Sequence, residues 1–196
     1  MPLYYVLKFL HYMMKRLSRN YMILKRMVQN SKRIFITGIK GQLGSTLDKY
    51  LSSYFNVLNN QEALKNIDIS DKSELKYIFK ELSPDCIINC AALTNVDFCE
   101  QNKSNSYEVN VNGVKNIISC TKNNTKIIHI STDYVFSGNR NIYKESDIPN
   151  PVSYYGKNKL ESENILRSSN RNYLIIRPSV IFGNTGNNFY VWVRDS

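Results

Sequence analysis

Arg33-Ile34-Phe35-Ile36-Thr37-Gly38-Ile39-Lys40-Gly41-Gln42-Leu43-Gly44-Ser45-Thr46-Leu47-Asp48-Lys49-Tyr50-Leu51 is the stretch whose reading decides the fold. Ile34 to Thr37 form a short β-branched and aromatic run with the composition of a buried strand, and Leu43, Leu47 and Leu51 recur at helical spacing. Gly38, Gly41 and Gly44 lie between them. A strand, a glycine turn and a helix together make a nucleotide pocket: the glycines permit the tight turn and let a pyrophosphate approach the backbone. The helix N-terminus then offers unpaired N–H groups to phosphates. The spacing Gly-x-x-Gly-x-x-Gly departs from the Gly-x-Gly-x-x-Gly of the ordinary dinucleotide fingerprint. Taken alone, the loop is also readable as a βα turn that binds nothing.

A chain of 196 residues can bury one substantial core, so one domain with an appendage is expected. Cys86, Cys90, Cys99 and Cys120 show no paired C-x-x-C spacing, and two of them fall in an apolar strand-like run. They read as reduced thiols of a cytoplasmic protein, and with only His11 and His129 present no metal centre is expected. The net charge of +10 is uneven. Residues 1–30 hold Lys8, Lys15, Arg16, Arg19, Lys25 and Arg26 and no acid, so the remainder is only mildly basic. That balance suits a binder of anionic small molecules and does not require a nucleic acid.

Leu3, Val6, Leu7, Leu10, Met14, Leu17, Tyr21, Leu24 and Val28 follow a helical stripe. Residues 1–32 therefore read as a basic extension, either an amphipathic helix lying on an anionic surface or partner, or a stretch preceding a native start at Met22 or Met27. It is too interrupted by charge for a membrane span and lacks the layout of a secretion signal. Residues 33–196 read as the nucleotide-binding domain. Phe55, Val57 and Leu58 suggest a second strand, Ile67-Asp68-Ile69 a third, Cys86 to Cys90 a fourth, Lys126 to Ile130 a fifth and Asn172 to Arg177 a sixth. Asp71 is placed to cap a helix that carries Leu75, Ile78, Phe79 and Leu82 up to Pro84. The expected fold is α/β, a doubly wound, mostly parallel sheet of the Rossmann type with strand order 3-2-1-4-5-6.

Tyr155 and Lys159 are four apart, so on a helix they share a face. A free phenol titrates near ~10 and is a poor proton carrier at neutral pH, and an adjacent ammonium stabilises its phenolate. Asn59 and Asn60 stand where an enzyme strict for NAD usually carries an acid for the ribose 2′-hydroxyl, and Lys40 lies in the glycine loop. Both features lean towards NADPH, with NADH as the alternative.

With Thr37 in front, the glycine loop resembles the Thr-Gly-x-x-Gly-x-x-Gly loop of the extended short-chain dehydrogenase/reductase superfamily. Asn89-Cys90-Ala91-Ala92-Leu93-Thr94-Asn95-Val96-Asp97 is similar to the Asn-Ala-Ala-Ala-Tyr-Thr-x-Val-Asp signature of the dTDP-4-dehydrorhamnose reductase family within it. The resemblance covers residues 33–196, the cofactor half of such an enzyme, with the substrate lobe largely missing. It implies NADPH-dependent reduction of dTDP-4-dehydrorhamnose to dTDP-L-rhamnose in nucleotide-sugar and surface-polysaccharide synthesis, with a homodimer possible. It further implies that Tyr155 donates the proton, that Lys159 lowers the phenol's pKa and holds the nicotinamide ribose, and that Thr132 supports the developing alkoxide. Thr37, Gly38, Lys40, Gly41, Gln42, Leu43, Gly44, Asp68, Ile69, Ala91, Ala92 and Thr94 are implied on the cofactor, Asp68 and Ile69 against the adenine. Val96, Asp133, Tyr134 and Val180 are implied on the sugar nucleotide, and Asn110 behind Lys159, supporting it through water. Val180 replaces the family's Trp and Pro178 its Thr, which leaves the sugar open. Two other readings stay in play. One is a sugar-nucleotide epimerase or dehydratase, although dehydratases carry Thr-Asp-Glu where this chain has Thr132-Asp133-Tyr134. The other is a non-catalytic NADP-binding subunit similar to the regulatory subunit of methionine adenosyltransferase.

If residues 1–26 are an idle extension, a chain beginning at Met27 keeps the thermal midpoint and cofactor affinity of the whole. A drop of several degrees in a thermal scan, about 1 kcal/mol or more in a domain of this size, shows instead that the stripe packs on the domain.

Overall fold

The computed structural model describes residues 31–59, 62–182 and 193. The helical reading of the first thirty residues and the position of Asn60 lie outside the described residues. Five strands, β1 (Arg33–Thr37), β2 (Asn56–Val57), β3 (Cys86–Asn89), β4 (Lys126–Ile130) and β5 (Tyr173–Ile176), pair in parallel in the order β2-β1-β3-β4-β5. Helices intervene: α1 (Gln42–Leu51), α2 (Lys72–Leu82), α3 (Val96–Gln101), α4 (Lys103–Tyr107), α5 (Gly113–Cys120) and α6 (Tyr154–Arg167). A π-helical turn, Glu108–Asn112, joins α4 to α5. Among the described residues no helix is long and apolar enough to cross a membrane, and the four cysteines are free thiols.

Alternation along the strands divides the core in two. Ile34 and Ile36 of β1, Ile88 of β3 and Ile128 of β4 pack with Leu47 and Leu51 of α1 on one face of the sheet. Phe35, Ile87 and Ile127, the residues between them, pack with Leu75, Ile78 and Phe79 of α2, Ile117 of α5 and Leu166 of α6 on the other. Phe35 meets Phe79 edge to face, with centroids 5.3 Å apart. The strands are apolar on both faces because helices cover both, as parallel sheets require.

The sheet departs from the expected order in one respect. No strand forms at Ile67–Ile69, so the sheet has five strands and the outermost position of the 3-2-1-4-5-6 order is missing among the described residues. Asp68 is the reason. Its Oδ1 accepts the Ser70 N–H at 2.9 Å and the Ser70 hydroxyl at 2.7 Å, and its carbonyl accepts the Asp71 N–H at 3.1 Å. The chain therefore turns at once into α2, where Asp71 caps the Ser73 and Glu74 N–H groups.

Asn59, which stands where an enzyme strict for NAD usually carries an acid, is turned into the sheet. Its side chain is buried; its Oδ1 accepts the Ile36 N–H at 2.8 Å, and its Nδ2 donates to the Ile36 carbonyl at 3.0 Å. The amide thus extends the two-residue β2 as a surrogate peptide along β1, and it also donates to the Leu64 carbonyl at 3.3 Å. Asn59→Ala leaves both Ile36 backbone groups buried without partners, and the expected loss is roughly 2–4 kcal/mol. Urea or thermal unfolding checks this; a midpoint equal to that of the parent chain refutes the surrogate-strand account.

Candidate active site

The chain reverses direction across the sheet at β1, with β2 on one side and β3 on the other. The carboxyl ends of β1 and β3 therefore flank a crevice, the place where open α/β sheets bind ligands. Gly38 closes β1 with φ of +64°, and a Cβ there would lie 2.7 Å from the Cα and N of Ala91. Both the positive φ and the close backbone demand glycine. Gly44 lies so close to the Gly38 carbonyl oxygen that any side chain would overlap it. α1 is preceded by Gly41 in an extended conformation, which has no side chain with which to occupy the first N–H groups of the helix.

Around this crevice lies a cavity of about 760 Å³, walled by the glycine loop and the start of α1 (Gly38, Lys40, Gly41, Gln42, Leu43, Gly44), by Ala92 and Thr94 after β3, by Thr132, Tyr134, Tyr155 and Lys159, and by Pro178 to Ile181 after β5. A second cavity of about 270 Å³ shares Gly38, Gly41 and Ala92 with it and adds Asp68, Ile69, Ala91 and Val109. The fold thus gathers most of the residues singled out in the sequence onto two adjoining cavities. Thr37, Val96 and Asp133 line neither. Thr37 is buried and turned to β3: its hydroxyl donates to Asn89 Oδ1 at 2.5 Å and accepts the Ala91 N–H at 3.3 Å, which ties the two strand ends together. Asn110, expected behind Lys159 as a support through water, makes direct contacts to the loop after β3. It sits in the π-helical turn, accepts the Leu93 N–H at 2.9 Å and donates to the Leu93 carbonyl at 2.9 Å and to Ser106 Oγ at 3.4 Å. Its hydrogen bonds hold the loop after β3 in place.

Helix α6 carries Tyr155 and Lys159, both buried. Its start is fixed by Ser153, which accepts the Gly156 N–H at 3.1 Å, and by Glu100, which accepts the Tyr154 N–H at 2.6 Å. Burial pushes the Tyr155 phenol up to about 12; a hydrogen bond with Thr132 works the other way, and Cys99, Asp133 and Tyr134 add to the rise. Burial pulls the Lys159 ammonium down to about 8, opposed by Glu163 and Cys90. The expected depression of the phenol by Lys159 is therefore not found in this arrangement. Lys159 Nζ donates to the Ile130 carbonyl at 2.7 Å, and burial of the ring and the charges around it raise the phenol together. The phenol keeps its proton at neutral pH, which is the form a proton donor needs.

Beneath the pair runs a buried polar chain that sequence reasoning missed. Asn89 Nδ2 donates to His129 Nδ1 at 3.0 Å, since Asn89 Oδ1 takes the Thr37 hydroxyl. Burial, reinforced by Lys159, holds the imidazole well below its usual pKa and hence neutral. With Nδ1 accepting, the network assigns the ring proton to Nε2, which donates to Ser162 Oγ at 3.1 Å; Ser162 in turn donates to the Lys159 carbonyl at 2.7 Å. Lys159 Nζ lies 3.4 Å from that Nε2 and directs its hydrogen bond to Ile130 instead. The available signal was a polar residue inside each of two apolar strands, Asn89 after Ile87-Ile88 and His129 between Ile128 and Ile130.

Comparison with known proteins agrees with this geometry. The family model described as the RmlD substrate binding domain matches residues 32–195. A dTDP-4-dehydrorhamnose reductase of Aggregatibacter actinomycetemcomitans is 41% identical over 161 residues, which is 80% of this chain and 54% of that protein. Methionine adenosyltransferase 2 subunit beta of Bos taurus is 30% identical over 165 residues, 78% of this chain and 48% of its own length. Among solved structures, dTDP-4-dehydrorhamnose reductase of Bacillus anthracis in complex with NADP superposes with a TM-score of 0.76 at 34% identity, covering 83% of this chain and 59% of that one. The chain spans about half the length of the curated relatives it matches. A matched segment that takes in nearly everything from β1 onward, on a Rossmann-like sheet, leads to one conclusion: the chain belongs to the RmlD substrate binding domain family.

Proposed function

We propose that this chain is the cofactor half of an NADPH-dependent sugar-nucleotide reductase, and that the complete protein reduces dTDP-4-dehydrorhamnose to dTDP-L-rhamnose. The observation that carries the reading is the opening of Thr132, Tyr155 and Lys159 onto the same cavity as the glycine loop. The crevice fits a dinucleotide because Gly38 and Gly44 leave no side chain between β1 and α1, and the N-terminus of α1 borders the cavity. Once bound, NADPH would supply the hydride. The backbone of Gly38 to Gly44 would hold the pyrophosphate, Asp68 and Ile69, which border the smaller cavity, would lie against the adenine, and Lys40 would meet the 2′-phosphate. Lys159, which lines the same cavity, would hold the nicotinamide ribose. Tyr155 gives its phenolic proton to the ketone oxygen as the carbon is reduced, and the Thr132 hydroxyl donates to the oxygen while charge develops on it. Tyr134 and Val180, exposed at the cavity mouth, face the sugar.

The likeness to methionine adenosyltransferase 2 subunit beta favours a second reading, a nucleotide-binding subunit that performs no reduction. The two readings share the cofactor pocket and part at Tyr155. In a protein extended by the downstream region its relatives carry, Tyr155→Phe is expected to lower the reductase rate about 100-fold or more while NADPH affinity stays within about twofold. Steady-state kinetics with the keto sugar, beside a fluorescence titration, reads both. No turnover by the extended parent favours the subunit reading, and normal turnover by the variant removes Tyr155 as proton donor.

Cofactor preference is tested on the present chain. NADPH should bind more tightly than NADH, and Lys40→Ala should cost about tenfold in NADPH affinity, or 1.4 kcal/mol, with little change for NADH. An unchanged preference in the variant refutes the assignment of Lys40 to the 2′-phosphate.

A further inference from the structure

Glu163 lies one helical turn beyond Lys159 on α6, and its carboxylate is fully buried. Its Oε1 accepts the Ser131 hydroxyl at 2.6 Å and Arg177 Nε at 2.9 Å, and its Oε2 accepts Arg177 Nη2 at 2.6 Å and Arg167 Nη2 at 2.9 Å. These partners come from separate parts of the chain. Ser131 immediately precedes Thr132 and donates its own N–H to the Ile176 carbonyl at 2.7 Å. Arg177 follows β5 and leads into Pro178, whose carbonyl accepts the Asp133 N–H at 3.0 Å. One carboxylate therefore joins the helix that carries Tyr155 and Lys159 to the turn that carries Thr132 and to the wall beyond β5.

Electrostatics gives Glu163 a second task. Lys159 is 1% exposed, and its short hydrogen bond goes to a neutral carbonyl, so the ammonium must be stabilised by other charge. The titratable groups that interact with it are His129 of β4, held neutral by burial, the Cys90 thiol after β3, pushed up to about 12 by burial, and Glu163, whose carboxylate also holds the cations Arg167 and Arg177. Glu163 opposes the fall that burial imposes on Lys159.

We propose that Glu163 is a positioning residue for the Tyr155–Lys159 pair: it locks α6 to the Ser131–Thr132 turn and to Arg177, and it places a carboxylate one helical turn from Lys159. The functional part rests on the reading of that pair as the proton-transfer machinery. The sign of the electrostatic part follows directly. Without the carboxylate, burial acts on Lys159 almost unopposed and the ammonium gives up its proton at lower pH.

The test is an NMR titration of the full chain carrying lysine labelled with ¹³C at Cε, the Lys159 resonance being identified by its loss in Lys159→Met. In the parent chain Lys159 is expected to titrate at about 8. Glu163→Gln, which keeps the size and removes the charge, should lower that midpoint by about one pH unit, roughly tenfold in the protonation equilibrium. Glu163→Asp, which keeps the charge and loosens the packing, should stay within about 0.3 unit of the parent even where it lowers thermal stability. Arg167→Ala alters a half-exposed arginine and strips one cation from the carboxylate, so it should raise the midpoint. A Gln midpoint equal to the parent's, or an Asp midpoint displaced as far as Gln's, overturns the proposal. If the Gln variant does not fold, Arg167→Ala decides: a raised midpoint supports the charge role, and an unchanged one refutes it. NADPH titration of the same samples reads the functional assignment separately, since a parent chain that fails to bind NADPH ends that assignment and leaves the lysine titration intact.

Discussion

A row of buried polar side chains crosses the sheet from Thr37 on β1 through Asn89 on β3 and His129 on β4 to Ser162 on α6, and the site depends on it. Each of these groups would cost free energy if left unpaired in the interior, and each is satisfied by the next, so the row holds only when all four elements are in register. Its two ends are the important places. One lies next to Gly38, where the chain turns under the crevice, and the other ends on the Lys159 backbone. The spacing between the glycine loop and the lysine is thereby set by hydrogen bonds with defined lengths and directions, where apolar packing alone would tolerate small slips.

Charge is arranged on the same principle one layer higher. Lys159 and Glu163 are both buried on one side of α6, and arginines from α6 and from the end of β5 close around the carboxylate. Bidentate geometry from Arg177 gives that contact direction as well as strength. The outcome is a polar layer at the carboxyl ends of the strands, above two apolar layers that hold the sheet between its helices. Polar groups crowd there because the strands have ended, backbone donors and acceptors need partners, and a ligand must be met.

The sheet edge illustrates how local chemistry competes with a topological expectation. An apolar-acidic-apolar triplet has the alternation of a strand, yet Asp68 spends its carboxylate on Ser70 and the chain turns. Asn59 does the reverse. A residue with poor strand propensity completes the ladder on β1, because its side-chain amide presents a donor and an acceptor at peptide-like spacing.

What the sequence by itself determined is what depends on local periodicity. The β1–turn–α1 unit, the Asp71 cap, the apolar strands at β3 and β4, and the placing of Tyr155 and Lys159 on one helix face all follow from patterns a few residues long. The family resemblance rests on such short stretches too. What only the tertiary structure decided involves partners far apart in the chain. Asn59 meets Ile36, Asn110 meets Leu93, and Glu163 meets Ser131 and Arg177 across separations that no periodicity encodes. The titration of Tyr155 and Lys159 belongs with these. A four-residue spacing brings a phenol and an ammonium to one face, but their pKa values answer to burial and to the direction of each hydrogen bond, and both are set by how β3, β4 and α6 close over them.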